Sequence, residues 1–552
     1  MGVSQEAGTG HAGERAAGAA GVVLPTLASA QFLMTLDSSV MNVSIATVAK
    51  DVGTTVTGIQ TAITLYTLVM ASLMITGGKL GQILGRKRAF ALGCVIYGCG
   101  SAITALSPNL AVLILGWSVL EGVGAALIMP AVVALVASNF GRRERPRAYG
   151  LVASAGAIAV AAGPLIGGLF TTYLSWRWVF FGEVLVVLAI LALSRRIAGT
   201  PREQGARLDL VGTVLSAAGL GLIVYGILRS GTWGFVQPKA GAPRWLGVSP
   251  VIWLILAGGV VLWAFMQWET HRLARGGAVL VDPAMLRNRT LRAGLISFLF
   301  QYLLQAGLFF AVPLFLSVAL GLSAVATGVR LLPLSLTLLL AAVGIPKFFP
   351  DASPRRVVQA GFLALFAGIV ILVAALDAGA GPGIVTWPML LAGLGVGALA
   401  SQLGSVTVSA VPDEQSGEVG GIQNTVTNLG ASIGTALAGA VLISALTTSF
   451  LTGIQNNPHV PKDIAAKAQV DLAAGIPFIS DQDLKAKLGQ AGVPAETADA
   501  IVAENTTARI AGLRSSLSLL AVIALIAPFT TRRIPAHQPS AAPDEPAADP
   551  PA

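Results

Sequence analysis

Fourteen stretches of this sequence are apolar, almost free of charge and long enough to cross a lipid bilayer. A helix needs about 20 residues, at about 1.5 Å each, to do so. They run from about 22 to 48, 58 to 80, 88 to 106, 109 to 138, 147 to 173, 176 to 194, 208 to 229, 250 to 268, 292 to 319, 324 to 348, 355 to 376, 384 to 411, 417 to 448 and 513 to 531. Inside hydrocarbon a backbone amide finds no water, so it must bond within its own segment, and runs of this length fold as membrane helices. Several exceed 20 residues and so tilt or protrude. Charged residues make up 11% of the 552, against about 25% in soluble proteins. That excludes a string of soluble domains.

The net charge is +9. The basic residues cluster between the apolar runs, not on one polar face, which speaks for membrane-flanking loops and against nucleic acid. They gather at Lys79 and Arg86 to Arg88, Arg142 to Arg147, Arg195 to Arg207, Arg272 to Arg292 and Lys347 to Arg356, all in alternate connections. The positive-inside rule then places those loops and both termini in the cytoplasm of a multi-pass inner-membrane protein. Residues 1–20 read as a disordered cytoplasmic tail, 21–200 as a six-helix bundle and 201–270 as two inserted helices. Residues 271–532 read as a second six-helix bundle and 533–552 as another disordered tail. The second bundle includes an outer connection, 449–512, whose patterning predicts one or two small helices over the exit. Cys94 and Cys99 are five apart in one apolar run and His11, His271, His459 and His537 are scattered, so no metal site is expected. No nucleophile and base pair appears, so neither an enzyme nor a bound cofactor is expected.

The fifth apolar run, Gly150 to Tyr173, has one edge stripped of bulk at Gly156, Ala159, Gly163 and Gly167, beside Gly168. A neighbouring helix can approach closely there, as if two bundles slid against each other. Pro164 lacks an amide hydrogen, which predicts a bend. The run resembles the antiporter motif on the fifth helix of exporters in the major facilitator superfamily. The loop Gly77 to Phe90 resembles that superfamily's signature loop in Gly78, Gly85, Arg86, Lys87 and Arg88, and a positive-inside clamp explains the three basic residues equally well. Gln82 and Ile83 stand where relatives usually carry an acidic residue followed by arginine. The segment Leu36 to Asp51, centred on Asp37, resembles the first-helix signature of the fourteen-span drug:proton antiporters.

A carboxylate inside a span costs about 2.5 to 3.5 kcal/mol, so an idle one is unexpected. Asp37 either handles protons or caps a local break before Ser38 and Ser39. The fourth span matches the family pattern in Gly122, Gly124, Ala125 and Pro130, with Trp117 and Glu121 where the family usually has arginine and glutamine. Four apart on a helix, these two share a face; Trp117 is either a cavity wall or a packing residue. Glu183 in the sixth span is a third, shallower carboxylate, either a functional one or a residue of the membrane interface. Trp176-Arg177-Trp178 resembles the family's entry to that span, with both tryptophans at the outer interface. Arg330 in the tenth span either snorkels outward or offsets a cavity carboxylate. Asn424 and Asn428 in the thirteenth span either line a cavity or bond a neighbouring helix.

The resemblance implies an all-α major facilitator fold of fourteen transmembrane helices, two six-helix bundles plus two inserted helices, acting as a monomer among membrane lipids. It implies export of lipophilic small molecules, cationic drugs included, in exchange for protons by alternating access. An exporter of a lipid, a cell-envelope component or a natural product is the alternative with the same fold.

Overall fold

The structure is a computed structural model. It describes residues 7–538 except 55, 142, 198, 200–206, 240, 378 and 472–477, with side chains from residue 21 onward apart from scattered helical positions. The helices are α1 (Ala7–Asp51), α2 (Val56–Leu84), α3 (Arg86–Ala105), α4 (Leu110–Asn139), α5 (Arg145–Tyr173), α6 (Arg177–Ser194), α7 (Leu210–Trp233) and α8 (Pro250–Ala274). There follow α9 (Arg289–Ala319), α10 (Ala324–Phe348), α11 (Pro354–Ala375), α12 (Thr386–Val408), α13 (Ser416–Asn456), α14 (Lys462–Asp471), α15 (Asp481–Gln490) and α16 (Ala495–Thr530). Among the described residues 12 helices are long and apolar enough to cross a membrane: α2 to α4, α6 to α13 and α16. Helices α1 and α5, of 45 and 29 residues, are two more long helices, packed against each other.

Helix α1 already covers residues 7–20, the stretch expected as a disordered tail. Residues 1–6 and 539–552 lie outside the described residues. Helices α1 to α6 pack together, as do α9 to α13 with α16. The second group has a continuous apolar core that includes Leu304, Phe362, Leu399, Leu442 and Leu513. The hairpin α7–α8 joins the two groups; α7 leans on α2 of the first and α13 of the second.

Lipid is as apolar as leucine, so membrane helices associate through close van der Waals approach, which small residues permit. Glycines mark the tightest crossings. A Cβ at Gly163 would stand 2.0 Å from Ser39 Oγ, and one at Gly167 3.2 Å from Val40 Cα, so the smooth edge of α5 receives α1. Gly156 faces Gln31 and Thr35 of α1 in the same way. The stripe therefore packs within one bundle, not across the sliding interface expected from sequence. Across that interface α5 uses Gly150, whose Cβ would meet the Ala342 carbonyl at 2.5 Å. Helix α5 is continuous from Arg145 to Tyr173; the side chain of Pro164 lies outside the described residues.

Beyond the bundle, α14, α15 and the ends of α13 and α16 gather around Phe450, Ile454, Val460 and Ile501. Buried Arg509 pins them down by donating to Asp481 Oδ2 at 2.5 Å and to the carbonyls of Ile479 and Val318.

Candidate functional site

Three carboxylates from three helices meet inside the first bundle. Asp37 of α1, Glu121 of α4 and Glu183 of α6 are all buried, and one oxygen of each lies within 4.8 Å of the others. Local backbone makes this possible. Residues Ile114–Glu121 of α4 form a π-helical segment, a wider turn that often marks functional sites. Beside it α3 comes close: a Cβ at Gly100 would meet the Gly116 carbonyl and Glu121 Cγ, both at 2.7 Å. Glu121 can therefore reach across to α3, where Thr104 Oγ1 donates to its Oε1 at 3.2 Å. Ser101, one turn earlier, donates to Glu183 Oε2 at 3.1 Å.

The Trp117 indole N–H points at both oxygens of Asp37, at 2.8 and 3.0 Å. Its ring stacks on Tyr66 of α2, with centroids 5.0 Å apart and planes 2° from parallel. Helix α1 runs unbroken through Ser38 and Ser39, so Asp37 serves this bond and caps no break. Among the described residues Glu121 Oε2, Glu183 Oε1 and the Tyr97 hydroxyl are buried without a hydrogen-bond partner. Among the described residues no lysine or arginine pairs with the three acids. Three buried negative charges without a counter-charge are untenable, so the cluster has to hold protons or a small cation among its oxygens. The cluster could hold a hard cation although no metal motif is visible in the sequence, because its ligands come from separate helices.

Between the bundles lies a cavity of about 1150 Å³, and beside it a second, inner chamber of about 470 Å³; Ser38, Tyr66, Met70 and Asn428 line both. Asn424 and Asn428 line the inner chamber, and Asn428 also bonds the Met74 sulfur at 3.4 Å. Asp37, Glu121, Glu183 and Trp117 do not. They stand behind Tyr66, which faces the cavity on one side and stacks on Trp117 on the other. Of the two readings of Trp117, packing holds and cavity wall does not, and Glu183 shares one buried cluster with Asp37 instead of lying shallower. Arg330 is exposed on α10 and joins neither cluster nor cavity. Trp176 is buried, donating to Asp51 Oδ2 at 3.0 Å, so of the two interface tryptophans only Trp178 is exposed.

The cavity is sealed at the end where α2 meets α3; the stretch 77–90, expected as a loop, is helical except at Gly85, because α2 runs on to Leu84 and α3 starts at Arg86. Gly78 lets α2 touch α13; a Cβ there would lie 2.5 Å from the Gly417 carbonyl. Next to it Lys79 Nζ and Glu418 Oε1 form a buried ion pair at 3.0 Å. Arg145 grips Asp413 with both guanidinium nitrogens, at 3.2 and 2.9 Å. Gly85 adopts φ 91°, a left-handed turn that favours glycine, and starts α3. Arg86 then reaches the carbonyls of Ala134, Asp413 and Glu414. Lys87 caps the end of α6 through the carbonyls of Arg195 and Ile197, at 2.8 Å each, and Arg88 is exposed. Sequence reading missed Lys79, Glu418, Arg145 and Asp413 as partners, and Tyr66, Tyr97, Ser101 and Thr104 altogether. The signal for Lys79 and Glu418 was there: each is a charge at the edge of an apolar run, where it needs a partner.

Known proteins share this plan. Residues 27–435 match the model of the Major Facilitator Superfamily. The puromycin resistance protein Pur8 of Streptomyces alboniger is 32% identical over 450 residues, covering 80% of this chain and 85% of that protein. A probable actinorhodin transporter of Streptomyces coelicolor is 28% identical, covering 84% of this chain and 78% of its own. The tetracenomycin C resistance and export protein of Streptomyces glaucescens is 30% identical, over 80% of each. Among solved structures, the human organic anion transporter MFSD10 is similar at a TM-score of 0.56 and 12% identity, covering 93% of this chain and 99% of its own. With a family model spanning most of its length and a helical fold shared with solved transporters, this multi-pass membrane chain belongs to the Major Facilitator Superfamily.

Proposed function

We propose that this chain is a fourteen-span antiporter that exports lipophilic small molecules in exchange for protons. It works as a monomer in the inner membrane, with both termini and the α2–α3 turn on the cytoplasmic side. Helices α1 and α5, added to the 12 apolar helices, support the count of spans. One observation carries the coupling: three buried carboxylates converge within 4.8 Å, one side chain away from the central cavity. On this orientation the sealed end is cytoplasmic and the cavity opens outward. Protons entering from outside would load the cluster and relax the Trp117 bond to Asp37. Tyr66, stacked on Trp117, would pass that change to the cavity wall as the bundles rock. Release of protons to the cytoplasm would restore the bond and reset the site.

The names of the relatives, which speak of antibiotic resistance and export, favour a natural product as cargo over a lipid or cell-envelope component. A panel of compounds tested for whole-cell accumulation, with and without a protonophore, would supply a transported compound. Proteoliposomes loaded with it should then show substrate-dependent proton flux that Asp37→Asn and Glu121→Gln each abolish. Proton exchange at normal rates in both variants would refute the coupling.

A further inference from the structure

The cavity wall is rich in groups that donate and accept hydrogen bonds but, among its described residues, contains no aspartate or glutamate. The inner chamber has carboxamides from both bundles, among them Gln31, Gln301, Gln305 and Asn424, and no charged side chain. The carbonyl oxygen of Gln301 is buried with no partner, an acceptor left open. The only charged lining residues described are Lys239 and Arg244, both at the outer mouth on the α7–α8 connection. Lys239 Nζ donates to the Gly231 carbonyl at 2.7 Å; Arg244 is exposed and makes no hydrogen bond or ion pair among the described residues. The three buried acids line neither chamber and stand behind Tyr66.

From this geometry we propose that the cargo is a neutral or anionic amphiphile, an apolar body carrying several hydroxyl or carbonyl groups, and that the inserted hairpin selects its charge. The inference rests on the proposed export function and narrows it. A cation in the chamber would lose hydration with no carboxylate to replace it, whereas amides can satisfy hydroxyls and carbonyls directly. At the mouth two positive side chains draw an anion outward from the chamber and repel a cation. The inserted helices are then part of the export path, contributing wall through α7 and charge through the connection that follows it.

The test is equilibrium binding to the full-length protein in lipid nanodiscs, using three probes on one xanthene scaffold: fluorescein, its neutral lactone dimethyl ether and rhodamine 123. Fluorescein and the neutral ether should each bind at least tenfold tighter than rhodamine 123. Lys239→Glu with Arg244→Glu should lower the ratio of fluorescein to rhodamine affinity by about tenfold or more, from roughly fivefold per reversed charge at a partly solvated site. Lys239→Arg with Arg244→Lys should keep the ratio. Tightest binding of the cation, an unchanged ratio on charge reversal, or binding of none of the three would overturn the assignment. Normal proton exchange in Asp37→Asn alongside this selectivity would refute the antiport alone; cation preference with abolished exchange would refute the substrate class alone.

Discussion

The Lys79–Glu418 pair should decide which end of the transporter is closed. Both side chains are nearly out of solvent, at 10% and 6% exposure, and they bridge α2 of one bundle to α13 of the other. Glu418 Oε2 also accepts the Asp282 amide at 3.4 Å, tying in the connection that leads from α8 to α9. Removing one partner of a buried pair costs about 3 to 5 kcal/mol, because the remaining charge stays desolvated. Glu418→Gln keeps an acceptor for Lys79, so the lower figure applies, and about 3 kcal/mol corresponds to roughly 150-fold. When the bundles part, Lys79 regains water, so the loss falls on the closed state alone. The substitution is large enough to carry a 99:1 preference for closure past even. The second clamp cannot compensate, since Asp413 of the Arg145 pair is half-exposed and such pairs contribute about 1 kcal/mol or less. Spin labels at Arg143 and Asp351, exposed positions on the two bundles, would report the opening in a Cys99→Ser background, where the remaining Cys94 is buried. The Glu418→Gln chain should gain a longer-distance population, and the exchange Lys79→Glu with Glu418→Lys should remove it. Identical distance distributions in Glu418→Gln and the parent would refute the role of this pair.

Trp117→Phe keeps an aromatic surface for Tyr66 but removes the N–H that both oxygens of Asp37 accept. A hydrogen bond to a charged group contributes about 1.5 to 3 kcal/mol, so proton-driven turnover should fall by about tenfold or more. KM should change less than kcat, since Trp117 does not line the cavity; a pure KM effect in the transport assay would contradict its placement behind Tyr66. Gly163→Ala would put a methyl 2.0 Å from Ser39 Oγ and should destabilise the α1–α5 contact by about 1 to 3 kcal/mol. A lower Tm in detergent that Ser39→Gly recovers would be the expected result, and an unchanged Tm would show that α1 and α5 have room to spare.

Much of the fold is legible in the sequence because a bilayer imposes a length. Each run of apolar residues had to become one helix, and the loop at Gly85 had to turn where only glycine is comfortable. Asp37, Glu121 and Glu183 could be picked out singly, because a charge placed in hydrocarbon is costly and is kept for a reason. Their meeting could not be read, since it depends on a π-helical turn at Ile114–Glu121 and on the approach of α3 at Gly100. Nor could the order of layers, with Tyr66 between acids and cavity, or the exposed position of Arg330. Lys79 and Glu418 lie 339 residues apart, and no local pattern records such a pairing. Local chemistry determined which segments enter the membrane and which residues are too costly there to be idle. Which of those residues touch was decided only when helices distant in the chain packed, because hydrogen bonds and ion pairs act over about 3 Å and sequence spacing constrains such distances only within a turn or two of one helix.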